Sequence, residues 1–180
     1  MTLPSPTVAR CVFLLGRRKE PVRLAVFYID VHPVTVDDYA RFVEQTGHRP
    51  PGKAPQPYLE PLTGDHPVVR VTWQDAVDYA TWAGKRLPSA REREKAARGP
   101  AGNLYPWGSD ETLSRFTIAE NYLPGTTAIG EHPDGAGPYG ARDMCGNVWE
   151  WTGTAAAGAT CAGVGPSGPR HSMRQPPPRA

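Results

Sequence analysis

Cysteine is scarce in this 180-residue chain and poorly spaced for chemistry. Cys11, Cys145 and Cys161 form no CxxC pair and no even-numbered framework. That excludes a disulfide scaffold and a structural zinc site. Long apolar runs are missing too: no stretch approaches the roughly 18 residues of a membrane span. Residues 12–15 are too short for the apolar core of a secretory signal, and Arg17-Arg18 has no apolar stretch after it. The expected setting is the cytoplasm, with no membrane partner. The sequence also lacks a P-loop, a GxGxxG following a strand, an HExxH and a GxSxG.

An excess of one charge is absent as well. The net charge is +2, and three arginines with no acid follow Trp151, which leaves the first 151 residues at −1. A near-neutral body gives no electrostatic reason to expect nucleic acid, and a few proline-separated arginines are a thin basis for an RNA tail. The five histidines are scattered, and His32, His66 and His132 each precede proline. Turn geometry accounts for them better than a ligand cluster does.

What the chain has in plenty is glycine (19) and proline (21), which argues for a loop-rich fold and against a helical bundle. Up to Trp151 the sequence is varied and aromatic. From Thr152 onward it becomes Gly, Ala, Pro, Ser and Arg, with Val164 the only branched aliphatic residue. Such a segment buries too little apolar surface to offset its ordering entropy. The organisation expected is an N-terminal extension at 1–11, a domain at 12–152 and a disordered tail at 153–180. The abrupt change after Trp151 is also what reading a GC-rich gene out of frame would produce, so a truncated or frameshifted product is one expectation.

Three helices have legible signals. Thr35 caps the first, which runs through Glu44 and Gln45 and stops at Gly47. Thr72 with Asp75 opens the second, which ends at Gly84. Ser89 with Glu92 opens the third after Pro88, and Gly99 closes it. Strand-like runs lie at 22–30 and 68–71, and 99–143 reads as loop. Asp37-Asp38 and Asp75/Asp78 are accounted for by helix starts and solvated faces. The class expected is α+β with much irregular structure.

The informative segment is Asp143-Met144-Cys145-Gly146-Asn147-Val148-Trp149-Glu150-Trp151. Hard cations take oxygen ligands, and a tight loop with carboxylates at its ends supplies them. Acids also flank ordinary buried loops, and the two tryptophans are at least as well explained as core anchors.

Here the residues become familiar. Phe27-Tyr28-Ile29-Asp30, Tyr39-Ala40-Arg41-Phe42, His66-Pro67-Val68-Val69, Gly84-Lys85-Arg86-Leu87-Pro88, Tyr105-Pro106-Trp107-Gly108 and Gly146-Asn147-Val148-Trp149-Glu150-Trp151 occur in that order. In this the chain resembles the sulfatase-modifying factor family, the formylglycine-generating-enzyme type domain, over about residues 12–152. The resemblance implies a C-type-lectin-like fold, here incomplete at its C-terminus. Active members oxidise a sulfatase cysteine to formylglycine with copper, oxygen and a cysteine pair, acting on a Cys-x-Pro-x-Arg peptide. Relatives include iron-dependent sulfoxide synthases and non-catalytic ligand-binding proteins.

Carried over by position, one structural calcium would be held by the side chains of Asp143 and Glu150 with the carbonyls of Gly146 and Val148. A second would involve Asn121 and the Tyr122 carbonyl, on a loop that is shortened here. The family's copper-binding cysteines follow the WEW motif, and that cysteine-bearing part has no counterpart here. Copper(I) favours soft thiolates, whereas Cys161 stands alone in the tail and Cys145 reads as a small structural residue. No catalytic residue is therefore assigned, and the chain is expected to be inactive as written, with a lectin-like module binding a ligand or a protein as the alternative. Arg93 is a further departure, since the family usually has Trp there. Loss of a buried aromatic would cost about 3 kcal/mol of packing, whereas on a solvated face Arg93 is simply a good helix former.

Overall fold

The computed structural model describes residues 7–52, 64–109 and 126–153. Asn121, Tyr122, Cys161 and nearly all of the predicted tail lie outside them. Among the described residues, two small antiparallel sheets are joined by three short helices and long turns.

Strand β2 (Cys11–Leu15) and strand β3 (Glu20–Leu24) form a hairpin in which Phe13 faces Val22 and Leu15 faces Glu20. Strand β1 (Thr7–Val8) pairs with β4 (Phe27–Tyr28), Val8 opposite Phe27. Val8 is fully buried, so the expected boundary at residue 12 is too late: part of the presumed extension completes a sheet. The 22–30 run divides into β3 and β4. The 68–71 run makes no strand: Arg70 turns at φ 62°, and its backbone bonds are isolated ones, from the Val68 N–H to the Val34 carbonyl and from the Gly52 N–H to the Arg70 carbonyl.

The helices form where their caps place them. Helix α1 (Val36–Thr46) starts at Thr35, whose hydroxyl accepts from the Asp38 N–H, and Gly47 stops it at φ 70°. A left-handed residue there ends the helix at no steric cost because glycine lacks a Cβ. Helix α2 (Trp73–Trp82) starts at Thr72 with Asp75 as the returning acid. Helix α3 (Ala90–Arg98) starts at Ser89 with Glu92 in that role.

Two packing centres result. One joins Val8, Phe27, Ala96, Ala97, Ala141 and Met144, with Leu24, Ile29 and Tyr139 against it. The other is aromatic, between α1 and α2: Tyr39 stacks on Tyr79 at 5.9 Å, and Phe42 meets Tyr39, Tyr79 and Trp82 at 5.3–5.6 Å. Burial in this centre pushes the Tyr79 phenol up to about 12, with the Asp38 and Asp30 charges adding to the effect.

Helix α3 has the least apolar sequence of the three and yet sits inside. Arg93, Lys95, Ala96, Ala97 and Arg98 are all buried. Its cations reach backbone oxygens of irregular segments. Lys95 Nζ donates to the Ala9 carbonyl at 2.6 Å, and Arg98 donates to the carbonyls of Gly102 and Asn103. Carbonyls outside sheets and helices still require donors when buried, and buried basic side chains supply them here. Asp75 is likewise buried rather than on a solvated face, because Arg49 holds it through Nε and Nη2 at 2.9 and 2.8 Å.

Candidate functional site

The segment ending in the two tryptophans is fixed by side chains at both ends. The Trp73 indole donates to the Thr152 carbonyl at 2.9 Å and the Trp151 indole to the Val71 carbonyl at 3.0 Å. These reciprocal bonds tie residues 151–152 to the start of α2. In the middle, the Asn147 side-chain carbonyl accepts from the Thr127 N–H at 3.0 Å, and its amide donates to the Thr127 carbonyl at 3.1 Å. Asn147 thus acts as a one-residue strand partner, a role that sequence reading missed.

Between these anchors the 143–150 loop turns tightly. Asp143, Gly146 and Asn147 have φ of 54°, 113° and 59°. Left-handed conformations at Asp and Asn are tolerated because their short polar side chains bond locally. The Asp143 carboxylate accepts from the Gly130 N–H, while its Oδ2 is buried without a hydrogen-bond partner. Burial pushes this carboxyl above its ordinary range, and the nearby charge of Glu150 adds to the rise.

Glu150 is engaged. Arg93, with a side chain only 5% exposed, donates from Nε to Glu150 Oε2 at 2.8 Å and from Nη2 to the Met144 carbonyl at 3.2 Å. The position where sequence offered lost packing or a solvated face is therefore a third thing, a buried ion pair reaching into the loop. Of the residues expected to hold calcium, Asp143 and Glu150 are close enough for their charges to interact. The Gly146 carbonyl accepts from the Val148 N–H in the same turn. An orphaned, buried carboxylate oxygen at Asp143 is what a hard cation fits. At Glu150 the fit is shared with a guanidinium.

Within this loop, Cys145 is half-buried and reduced. Burial raises its thiol to about 11, against the lowering effect of Arg93. Cys11, in β2, faces the Tyr139 hydroxyl at 3.9 Å. Val148, Trp149, Glu150 and Trp151 also line one wall of a cleft of about 870 Å³, whose other walls include Tyr28 and Tyr79. Trp149 and Tyr28 are 68% and 71% exposed.

The sequence profile of the sulfatase-modifying factor enzyme 1-like domain matches residues 10–165. This chain belongs to that family. Among relatives of the family domain, serine/threonine-protein kinase pkn1 of Chlamydia caviae is 35% identical over 181 residues, covering 82% of this chain and 28% of the kinase. Formylglycine-generating enzyme of Thermomonospora curvata is 35% identical over 185 residues, covering 72% of this chain and 60% of the enzyme. Hercynine oxygenase of Mycolicibacterium smegmatis is 39% identical over 99 residues, covering 53% of this chain and 23% of that protein. The chain thus spans less than a third of the pkn1 kinase and less than two thirds of the Thermomonospora enzyme. Treponema denticola variable protein 1 shares the fold, with a TM-score of 0.62 at 17% identity over 82% of this chain and 71% of that one. The family domain is α+β and C-type-lectin-like, as the sequence implied. Among the described residues, no helix is long and apolar enough to cross a membrane.

Proposed function

We propose that this family domain, as written, binds rather than oxidises, with calcium on the 143–150 loop as a structural ion. The observation that carries the reading is the state of Cys145. A thiol that serves as a copper ligand or a redox partner must reach the thiolate readily, through a cationic and accessible setting. Cys145 is instead held in its protonated form by burial, with a pKa of about 11. Its burial beside the Met144 core position suits a small structural residue.

The cleft supports a binding role. Its rim carries exposed Trp149 and Tyr28, and aromatic faces beside an apolar cavity favour a small ligand or a peptide side chain. The test is incubation of the full chain with a Cys-x-Pro-x-Arg peptide, copper and oxygen, followed by mass spectrometry. No conversion to formylglycine is expected. Turnover that depends on copper would overturn the reading and return the chain to the oxidases.

A further inference from the structure

We propose that Arg93 is an internal rival to the metal ion at the 143–150 loop. Its guanidinium supplies at Glu150 the positive charge that calcium would otherwise supply, so residue 93 sets how tightly the loop holds a cation. This rests on the reading above that the loop takes calcium.

A guanidinium that is 5% exposed is stable only with a paired charge and satisfied donors. Arg93 has both at this loop: the Glu150 carboxylate through Nε, and the Met144 carbonyl through Nη2. These contacts tie α3 to residues on both sides of the Gly146–Asn147 turn. Glu150 is thereby committed, while Asp143 keeps one buried oxygen with no partner. The loop has two acids: Glu150 is paired with a cation, while Asp143 accepts from the Gly130 N–H and keeps its second oxygen without a partner.

A calcium ion arriving at Asp143 needs several more oxygens at 2.3–2.6 Å. Glu150 can join only by loosening its bond to Arg93 or by sharing a carboxylate whose charge is already balanced. Either route lowers affinity relative to the same loop without the arginine. The cation–cation repulsion at this short range acts in the same direction. Asp143 alone gives the ion an anchor but no second full negative charge.

The test uses calorimetric titration of the full chain with calcium chloride, together with melting curves in calcium and in EDTA. Arg93→Gln removes the charge and keeps, at the position of Nε, a neutral donor toward Glu150, and Arg93→Lys keeps the charge. The expected result is at least a tenfold gain in calcium affinity for Arg93→Gln over the wild type, with Arg93→Lys close to the wild type. Adding Asp143→Asn to Arg93→Gln should abolish the gain. The melting temperature of Arg93→Gln should rise with calcium more than that of the wild type.

Equal, measurable affinities in the wild type and Arg93→Gln would overturn the rivalry and leave the calcium reading standing. Absence of calcium binding by a folded Arg93→Gln would overturn both. Should Arg93→Gln fail to fold in EDTA, recovery of a cooperative melt in calcium supports the proposal, and failure to recover overturns it.

Discussion

Lys95 is fully buried in α3, with Nζ on the Ala9 carbonyl at 2.6 Å and the ammonium 5.9 Å from the Phe27 ring centre. Lys95→Met should keep the packing volume and strip the half-buried Ala9 carbonyl bond of its donor, at a cost of about 1–2 kcal/mol. Urea unfolding measures it, and an unchanged midpoint would count against the role assigned to this side chain. The acids of α2 and α3 make a second prediction. Bonds from Arg86 hold Glu92 at about 2, and bonds from Arg49 hold Asp75 well below the carboxylate range. A carboxylate with a depressed folded pKa stabilises most above its unfolded value and loses that contribution as pH falls toward the folded one. Stability should therefore decline from about pH 4.5 toward pH 2. Arg86 is largely exposed, so the Glu92 part of the loss should be only about 1 kcal/mol, smaller in high salt. Acid melts of Glu92→Gln against the wild type read this part, because the variant loses the titration.

At the scale of elements, the three caps were legible because each is a local pattern of a hydroxyl followed three residues later by an acid. The boxes at Thr72/Asp75 and Ser89/Glu92 form between the residues named from sequence, and Thr35, named as a cap alone, gains Asp38 as its returning acid. Thr72→Ala should cost about 1–2 kcal/mol in thermal unfolding, toward the upper end because Arg49 Nη2 also donates to the Thr72 hydroxyl at 3.1 Å. The turn after α3 is more demanding. Gly102 has φ of 58°, and a Cβ there would lie 2.3 Å from the Leu14 carbonyl oxygen. Gly102→Ala should thus displace the hairpin from α3 and lower the melting temperature by several degrees, about 2 kcal/mol or more. The 68–71 run shows the limit of such reasoning. Its β-branched residues suit a strand, but strands need a continuous neighbouring edge, and here single backbone bonds link the run to Val34 and to Gly52 while Arg70 turns at φ 62°.

For the whole molecule, the N-terminal boundary is a consequence of packing. Val8 belongs to the same buried cluster as Ala96, Ala97 and Met144, and Ala9 offers the carbonyl that Lys95 needs. Deleting residues 1–11 should therefore destabilise the domain by about 3 kcal/mol or more, through lost apolar burial and an unpaired Lys95. Deleting residues 1–6 should cost much less if Thr7 and Val8 suffice for the pairing to β4. Comparing the two truncations by thermal melting checks this, and equal melting temperatures would return the boundary to residue 12. Arg93 belongs to this scale too. It and Glu150 are far apart in sequence, and no local pattern could announce that they meet.

Sequence by itself determined the family, through motifs in a fixed order, the helix starts, through caps that act over three residues, and the importance of residues 143–151. Those features are local, so composition and spacing carry them. Tertiary structure decided which charges are buried and with whom: Arg93 with Glu150, Arg49 with Asp75, and Lys95 with the Ala9 carbonyl. A loop-rich fold leaves many carbonyls without ladder partners, and long-range donors must reach them. A basic residue on a short, charged helix reads as solvated until the chain closes around it.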